Sequence, residues 1–306
     1  MLIFLLLLGI VVLLLGGAWY AYRIAFFSPQ KGREGAATPK GEKYTPYMEE
    51  ISRIVRDLRG RPCEFVTITS FDGLVLSGRY YHVKDGAPLD IGFHGYRSSC
   101  LNDFAGGSRM SFDMDHNLLL VDQRAHGKSQ GRTITFGIKE RLDLQCWVEY
   151  AIERFGRDTS ILLYGISMGG ATVLMASELE LPQNVKGIVA DCPYASPMEI
   201  ILHVGRTHPI PQWLMKPFVV LGAKVFGGFD ILETDAYRAV KNSHIPILII
   251  HGEEDGFVPM HMSDLVRYNP NTVKRITFPG ADHGISYLVD TVRYRKIVAD
   301  FCQMVL

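Results

Sequence analysis

The sequence predicts an α/β protein with a mostly parallel sheet covered by helices on both faces. Three observations predict it. Short apolar runs of strand length alternate with stretches of helical periodicity over most of the chain. An Asp72-Gly73 hairpin signal opens the body with two antiparallel strands. The run Gly165-Ile166-Ser167-Met168-Gly169 reads Gly-x-Ser-x-Gly between a buried strand and the start of a helix.

The chain has 306 residues, room for one large α/β domain plus an appendage. Residues 1–22 carry no charged side chain, and as a helix would span about 33 Å, close to the hydrocarbon thickness of a bilayer. Trp19, Tyr20 and Tyr22 gather at one end, where aromatic side chains favour the interface. A cleaved signal would want a basic start, a shorter apolar core and a small-residue cleavage site; no Lys or Arg precedes Arg23. A single-pass anchor is therefore expected over residues 1–22. Arg23, Lys31, Arg33, Lys40 and Lys43 follow it, which places the body on the cytoplasmic side by the positive-inside rule.

Residues 23–45 are expected to be a flexible linker, because the stretch from Ser28 is rich in Gly, Pro, Lys and Glu. The domain then runs over residues 46–306. A helix from Pro46 to Leu58, with Thr45 as N-cap, would bury Tyr47, Ile51, Ile54, Val55 and Leu58. Strands Glu64–Thr69 and Leu74–Tyr81 flank the hairpin turn, and Leu89–Phe93 and Asn117–Val121 follow. Leu144, Val148, Ala151, Ile152 and Phe155 recur at helical spacing, with Gly156 as the stop. Ser160–Tyr164 leads into the serine turn, then come strands Val185–Ala190, Ile245–Ile250 and Val273–Phe278. A helix from Tyr287 to Met304 closes the chain. Residues 193–243 are too long and too apolar for a crossover and are broken by Pro197, Pro209, Pro211 and Pro217; they predict a small helical cap.

Serine is a weak nucleophile without a positioned base. The late strand Ile245–Ile250 runs into His251-Gly252-Glu253-Glu254-Asp255, and the last strand into Ala281-Asp282-His283-Gly284. Ser167, Asp255 and His283 thus sit after three strand ends in the order Ser…acid…His. Glu253 and Glu254 are the near alternatives for the acid, and Asp191, after another strand, is read as a structural capping residue. An oxyanion hole would take the backbone N–H of Met168, at the head of a helix, and of Tyr96, in the loop after Leu89–Phe93. His94 would hold that loop by hydrogen bonds. Arg97 is either solvated or meets a substrate carboxylate or phosphate. The cluster Asp122, Arg124, His126 and Gly127 reads as a structural turn. Cys192 is read as packed rather than nucleophilic.

The segments "FHGYRSS", "VDQRAHGKSQG", "YGISMGGA", "ADCPY", "IIHGEEDGFVP" and "GADHG" resemble the α/β-hydrolase superfamily. Within it the chain is similar to membrane-anchored serine hydrolases sharing a clan with prolyl-oligopeptidase-like peptidases. The resemblance covers residues 60–306. It implies an eight-stranded sheet with the cap after the sixth strand and a triad at Ser167, Asp255 and His283. It also implies a serine hydrolase acting without a cofactor. Small-molecule carboxylic esters are the expected substrates, acyl or lipid-like ones being suggested by the apolar cap and the anchor; amides or peptides are the alternative, and a non-catalytic scaffold is the remaining reading.

Composition adds exclusions. With 32 basic and 32 acidic residues the net charge is zero, so no nucleic-acid partner is expected. The five cysteines are scattered, with no C-x-x-C pair, which argues against a disulfide framework or a metal site. Nothing in the sequence names a protein partner.

Overall fold

The computed structural model describes residues 1–29, 42–207 and 209–306. Among the described residues there are eight strands: β1 (Glu64–Thr69), β2 (Val75–Tyr81), β3 (Leu89–Phe93), β4 (Asn117–Asp122), β5 (Ile161–Ile166), β6 (Val185–Asp191), β7 (Ile247–Gly252) and β8 (Val273–Phe278). They form one sheet in the order β1-β2-β4-β3-β5-β6-β7-β8. β1 pairs antiparallel with β2, and β2 with β4; every other pair is parallel. The exchange of β3 and β4 puts β3 beside β5, with Phe93 opposite Gly165. That pairing carries the loop after β3 to the serine turn.

The helices are α1 (Leu2–Ala25), α2 (Met48–Gly60), α3 (Cys100–Asp103), α4 (Ala105–Asp113), α5 (Glu140–Phe155), α6 (Met168–Ala176), α7 (Pro197–Val204), α8 (Gln212–Gly222), α9 (Ala236–Lys241), α10 (Ser286–Val289) and α11 (Thr291–Val305). Strand residues alternate between the two faces of the sheet. Leu163, Ile188, Ile247 and Ile249 pack with Leu144 and Val148 of α5 and Val173 and Leu174 of α6. Their neighbours Leu162, Val189, Leu248 and Ile250 pack with Tyr294, Val298 and Phe301 of α11 on the other face. Because both faces are covered, the central strands read as mostly apolar runs, interrupted by Asp90 in β3 and Lys186 in β6.

Several boundaries differ from the sequence reading. The N-terminal helix continues three residues beyond Tyr22, to Ala25, and the chain after it is tied to the body rather than free. Phe26 is fully buried, Phe27 bridges to Thr133, and Ser28 donates its N–H to the Arg132 carbonyl at 2.8 Å. At the other end of the expected linker, Glu42–Tyr47 form a 3-10 turn that leads directly into α2. Residues 30–41 of the expected linker lie outside the described residues. Thr45 caps nothing: Pro46 sits inside the 3-10 turn, and α2 starts at Met48 with no side-chain cap. Of its expected apolar face only Ile54 and Leu58 are buried. Helices α3 and α4 occupy a stretch with no marked apolar period, where Gly106 and Gly107 mask it. The closing helix is split at Asp290, whose carboxylate accepts the Arg293 N–H at 3.0 Å and so caps a fresh start. Within residues 193–243, α7 and α8 stand between β6 and β7, followed by a π-helical turn over Ala223–Gly227. α9 instead buries Ala236, Ala239 and Val240 toward α6, and belongs to the layer covering the sheet.

Candidate active site

Ser167 ends β5 and starts α6 with φ +55° and ψ −113°, outside the favoured regions for a side-chain-bearing residue. The strain persists because the surroundings fix it. The Ser167 N–H donates to the Asp191 carbonyl at 2.8 Å, and its carbonyl accepts the Ala171 N–H at 2.9 Å. The flanking glycines are a steric requirement. A Cβ on Gly165 would overlap the Gly169 carbonyl, and one on Gly169 would overlap the carbonyl of Phe93.

Three strand ends converge on that turn. The Ser167 hydroxyl lies 2.9 Å from His283 Nε2, and His283 Nδ1 lies 2.8 Å from Asp255 Oδ2. An ionised carboxylate only accepts, so Nδ1 carries the imidazole proton and Nε2 is left to accept from the Ser167 hydroxyl. Asp255 is fully enclosed. Its Oδ1 accepts the N–H groups of Phe257 at 2.9 Å and Val258 at 2.7 Å. Burial pushes its carboxyl up, but hydrogen bonds from His251 and His283, the field of His283 and the Val258 N–H outweigh it and hold the group well below the ordinary carboxylate value. His251, with Nε2 3.3 Å from Asp255 Oδ2 and 3.0 Å from the Val258 carbonyl, is a partner the sequence reading did not assign. Glu253 and Glu254 point elsewhere: Glu253 accepts from Thr277 and Glu254 pairs with Lys43.

Asp191 is buried beside this group, where its carboxyl accepts the Tyr294 hydroxyl at 2.8 Å and leaves Oδ1 without a partner. Burial raises it to about 6. Cys192 Sγ stands 3.9 Å from His283 Nε2. Among the described residues, Cys192, Asp255 and His283 are the grouping with metal-ligand chemistry, their donor atoms within 4.8 Å of one another. Asp255 is already committed to hydrogen bonds, and burial together with Asp191 and Asp255 pushes the Cys192 thiol far up, so it stays a protonated, packed thiol.

The loop after β3 passes directly over the serine, with a Cβ on Gly95 falling 3.3 Å from that of Ser167. Its backbone is tied on both sides of Tyr96. The Gly95 N–H donates to Asp103 Oδ2 at 2.6 Å, and the Arg97 N–H to His126 Nε2 at 2.9 Å. His94 holds the base of the loop, with Nε2 accepting the Gln123 N–H at 3.1 Å. Arg97 is not a solvated residue: its guanidinium donates to the carbonyls of Ile24 at 2.8 Å and Phe27 at 3.1 Å. Met168, first residue of α6, has no earlier turn to accept its N–H within the helix. In the Asp122–Gly127 turn, Arg124 grips Asp143 of α5 and Asp72 of the hairpin. Tyr44 was hidden in the supposed linker. Its hydroxyl donates to the His283 carbonyl at 2.9 Å, and the Phe257 ring lies 5.1 Å from the imidazole. A cleft of about 250 Å³ beside Leu89 and Asn117 lies at the opposite ends of the parallel strands, remote from Ser167.

A family model described as the alpha/beta hydrolase fold matches residues 93–226. An uncharacterized protein of Bacillus subtilis, YqkD, is 27% identical over 236 residues, 76% of this chain and 77% of that one. Among solved structures, the esterase PF2001 of Pyrococcus furiosus superposes with a TM-score of 0.67 at 23% identity, covering 81% of this chain and 93% of its own. Est1E of Butyrivibrio proteoclasticus, solved with ferulic acid bound, gives 0.60 at 21% identity, covering 78% and 98%.

Proposed function

We propose that this chain, which has the α/β-hydrolase fold, is a membrane-tethered serine hydrolase of carboxylic esters. The observation that carries the reading is the unbroken hydrogen-bond chain from Ser167 through His283 to Asp255, drawn from three separate strand ends. Ser167 attacks the ester carbonyl while His283 Nε2 takes its proton. The resulting imidazolium passes that proton to the leaving alcohol, and water then resolves the acyl-enzyme by the same route. Asp255 holds the tautomer in which Nε2 can accept, and its anionic charge stabilises the imidazolium. The N–H groups of Tyr96 and Met168 receive the oxyanion; losing one such donor typically costs about 100- to 1000-fold in turnover. The esterase PF2001 among the structural neighbours supports ester substrates.

α1 supports the tether. Its 24 residues would span about 36 Å and its first half is exposed and apolar. A cleaved leader is opposed by its packing: Ala18 is buried with its carbonyl against Gly222 of α8, and the Tyr22 hydroxyl lies 3.0 Å from that of Thr133. The basic residues after α1 support a cytoplasmic body by the positive-inside rule; digestion of the body by protease added outside sealed cells would contradict that side.

The test is hydrolysis of p-nitrophenyl esters from acetate to palmitate by wild type and Ser167→Ala. Loss of turnover in the variant is expected, and the chain-length optimum reports the acyl group the site holds. Undiminished turnover by Ser167→Ala would overturn the reading; peptide amides cleaved as fast as esters would move it to an amidase.

A further inference from the structure

We propose that the C-terminus of α1 is a working part of the oxyanion loop, with Tyr96 and Arg97 acting as positioning residues through their grip on its last carbonyls. The inference rests on the reading of the Tyr96 N–H as an oxyanion donor.

A helix end leaves its final carbonyls without partners inside the helix. Here the oxyanion loop supplies them. The Tyr96 hydroxyl donates to the Ala25 carbonyl at 2.8 Å, and the Arg97 guanidinium to Ile24 at 2.8 Å and Phe27 at 3.1 Å. A cation at this point also suits the negative end of the helix dipole. The guanidinium lies 4.8 Å from the Tyr96 ring, and that ring 4.9 Å from Phe136. One short side-chain cluster therefore joins the helix end, the loop and the core.

The loop needs such ties. Arg97 has φ +54°, a left-handed conformation unfavourable for a residue with a side chain. The bonds at Gly95 and Arg97 N–H fix the backbone on either side, and the side-chain grip fixes the Tyr96–Arg97 unit from above. The platform it grips is itself rigid. Phe26 is fully buried, with ring contacts at 5.8 Å to Phe136 and 5.2 Å to Phe229. The Phe26 carbonyl accepts the Ile134 N–H at 2.8 Å, and the Ser28 hydroxyl donates to the Ala125 carbonyl at 2.7 Å. Residues 24–28 therefore act as a fixed rail along which the loop is set, rather than as the start of a tether.

The test uses the full chain in lipid nanodiscs, with p-nitrophenyl butyrate turnover and amide hydrogen exchange read together. Arg97→Ala is expected to lower kcat about 10- to 100-fold, part of what a whole oxyanion donor is worth, with KM little changed. Amide exchange at residues 94–99 should quicken. Tyr96→Phe, which removes only a hydroxyl, should lower kcat less, and Arg97→Lys should recover part of the loss. Arg154→Ala breaks an ion pair between α5 and β1, touching neither α1 nor the loop, and should leave kcat as it was. An unchanged kcat in both Arg97→Ala and Tyr96→Phe would overturn the proposal, as would an equal fall in Arg154→Ala. Should Arg97→Ala fail to fold, Tyr96→Phe carries the test. Ser167→Ala run alongside separates the two readings: it decides whether Ser167 is the nucleophile whatever Arg97 does. In a protein that turned over no ester, unaltered exchange at 94–99 in Arg97→Ala would still overturn the rail.

Discussion

At the residue scale the site sets two buried carboxylates against each other. Asp255 is held ionised by imidazole and backbone donors, whereas Asp191, one strand away, keeps a single hydroxyl donor and an unpartnered oxygen. The folded value of Asp191, about 6, lies above the ordinary carboxylate value, so Asp191 favours the fold while protonated. That contribution is complete below about pH 4 and is lost as pH climbs through about 6. Asp191→Asn is therefore expected to flatten the stability profile across this window and to gain on wild type by up to about 3 kcal/mol at pH 7. Thermal melts of both proteins from pH 4 to pH 7 check it; parallel profiles would show that Asp191 does not titrate there. That Ser167, His283 and Asp255 come together was legible in the sequence, because each follows a strand end. His251 and Tyr44 were not. Their roles depend on contacts made across loops, and a histidine or tyrosine carries no spacing that announces such a contact.

At the element scale, the serine turn is a packing solution before it is a chemical one. Gly165 and Gly169 let α6 start against the ends of β3 and β5, and no side chain fits at either place. Gly169→Ala would drive a methyl into the Phe93 carbonyl. It is expected to cost several kcal/mol, an overpacking strain that the sheet cannot relax. Soluble yield and melting temperature read this directly, and a well-folded, fully active Gly169→Ala would contradict it. The eight strands were legible to within about two residues, because the central ones are apolar runs buried on both faces and the first two flank an Asp-Gly turn. The segments around them were harder. Composition marked residues 23–45 as a linker, yet the described parts are held by single residues, Phe26, Ser28, Lys43 and Tyr44. A few anchoring contacts outweigh a polar, proline-containing average, and an average cannot show them.

At the scale of the whole molecule, the apolar helix and the α/β body are one packed unit. α1 meets α8 where small residues allow close approach, at Gly17 against Phe218 and at Ala18 against Gly222. Its last turn reaches the loop beside Ser167. The exposed, apolar first half, Leu2 to Leu15, is what the proposed bilayer anchor rests on. The protein is thus expected to stay with the membrane fraction through alkaline carbonate washing and to retain the mass of the uncleaved chain. Release into the wash, or a mature N-terminus after Tyr22, would contradict the tether.

The measurement that bears most directly on the central claim is peptide mass spectrometry after treatment with diethyl p-nitrophenyl phosphate. Displacement of p-nitrophenol should leave one diethylphosphoryl group on the peptide carrying Ser167. The label should be absent in Ser167→Ala and slow to form in Asp255→Asn, where the imidazole loses the carboxylate that sets its tautomer. A wild-type protein that takes no label, or takes it at Cys192 or elsewhere, would contradict Ser167 as the activated nucleophile.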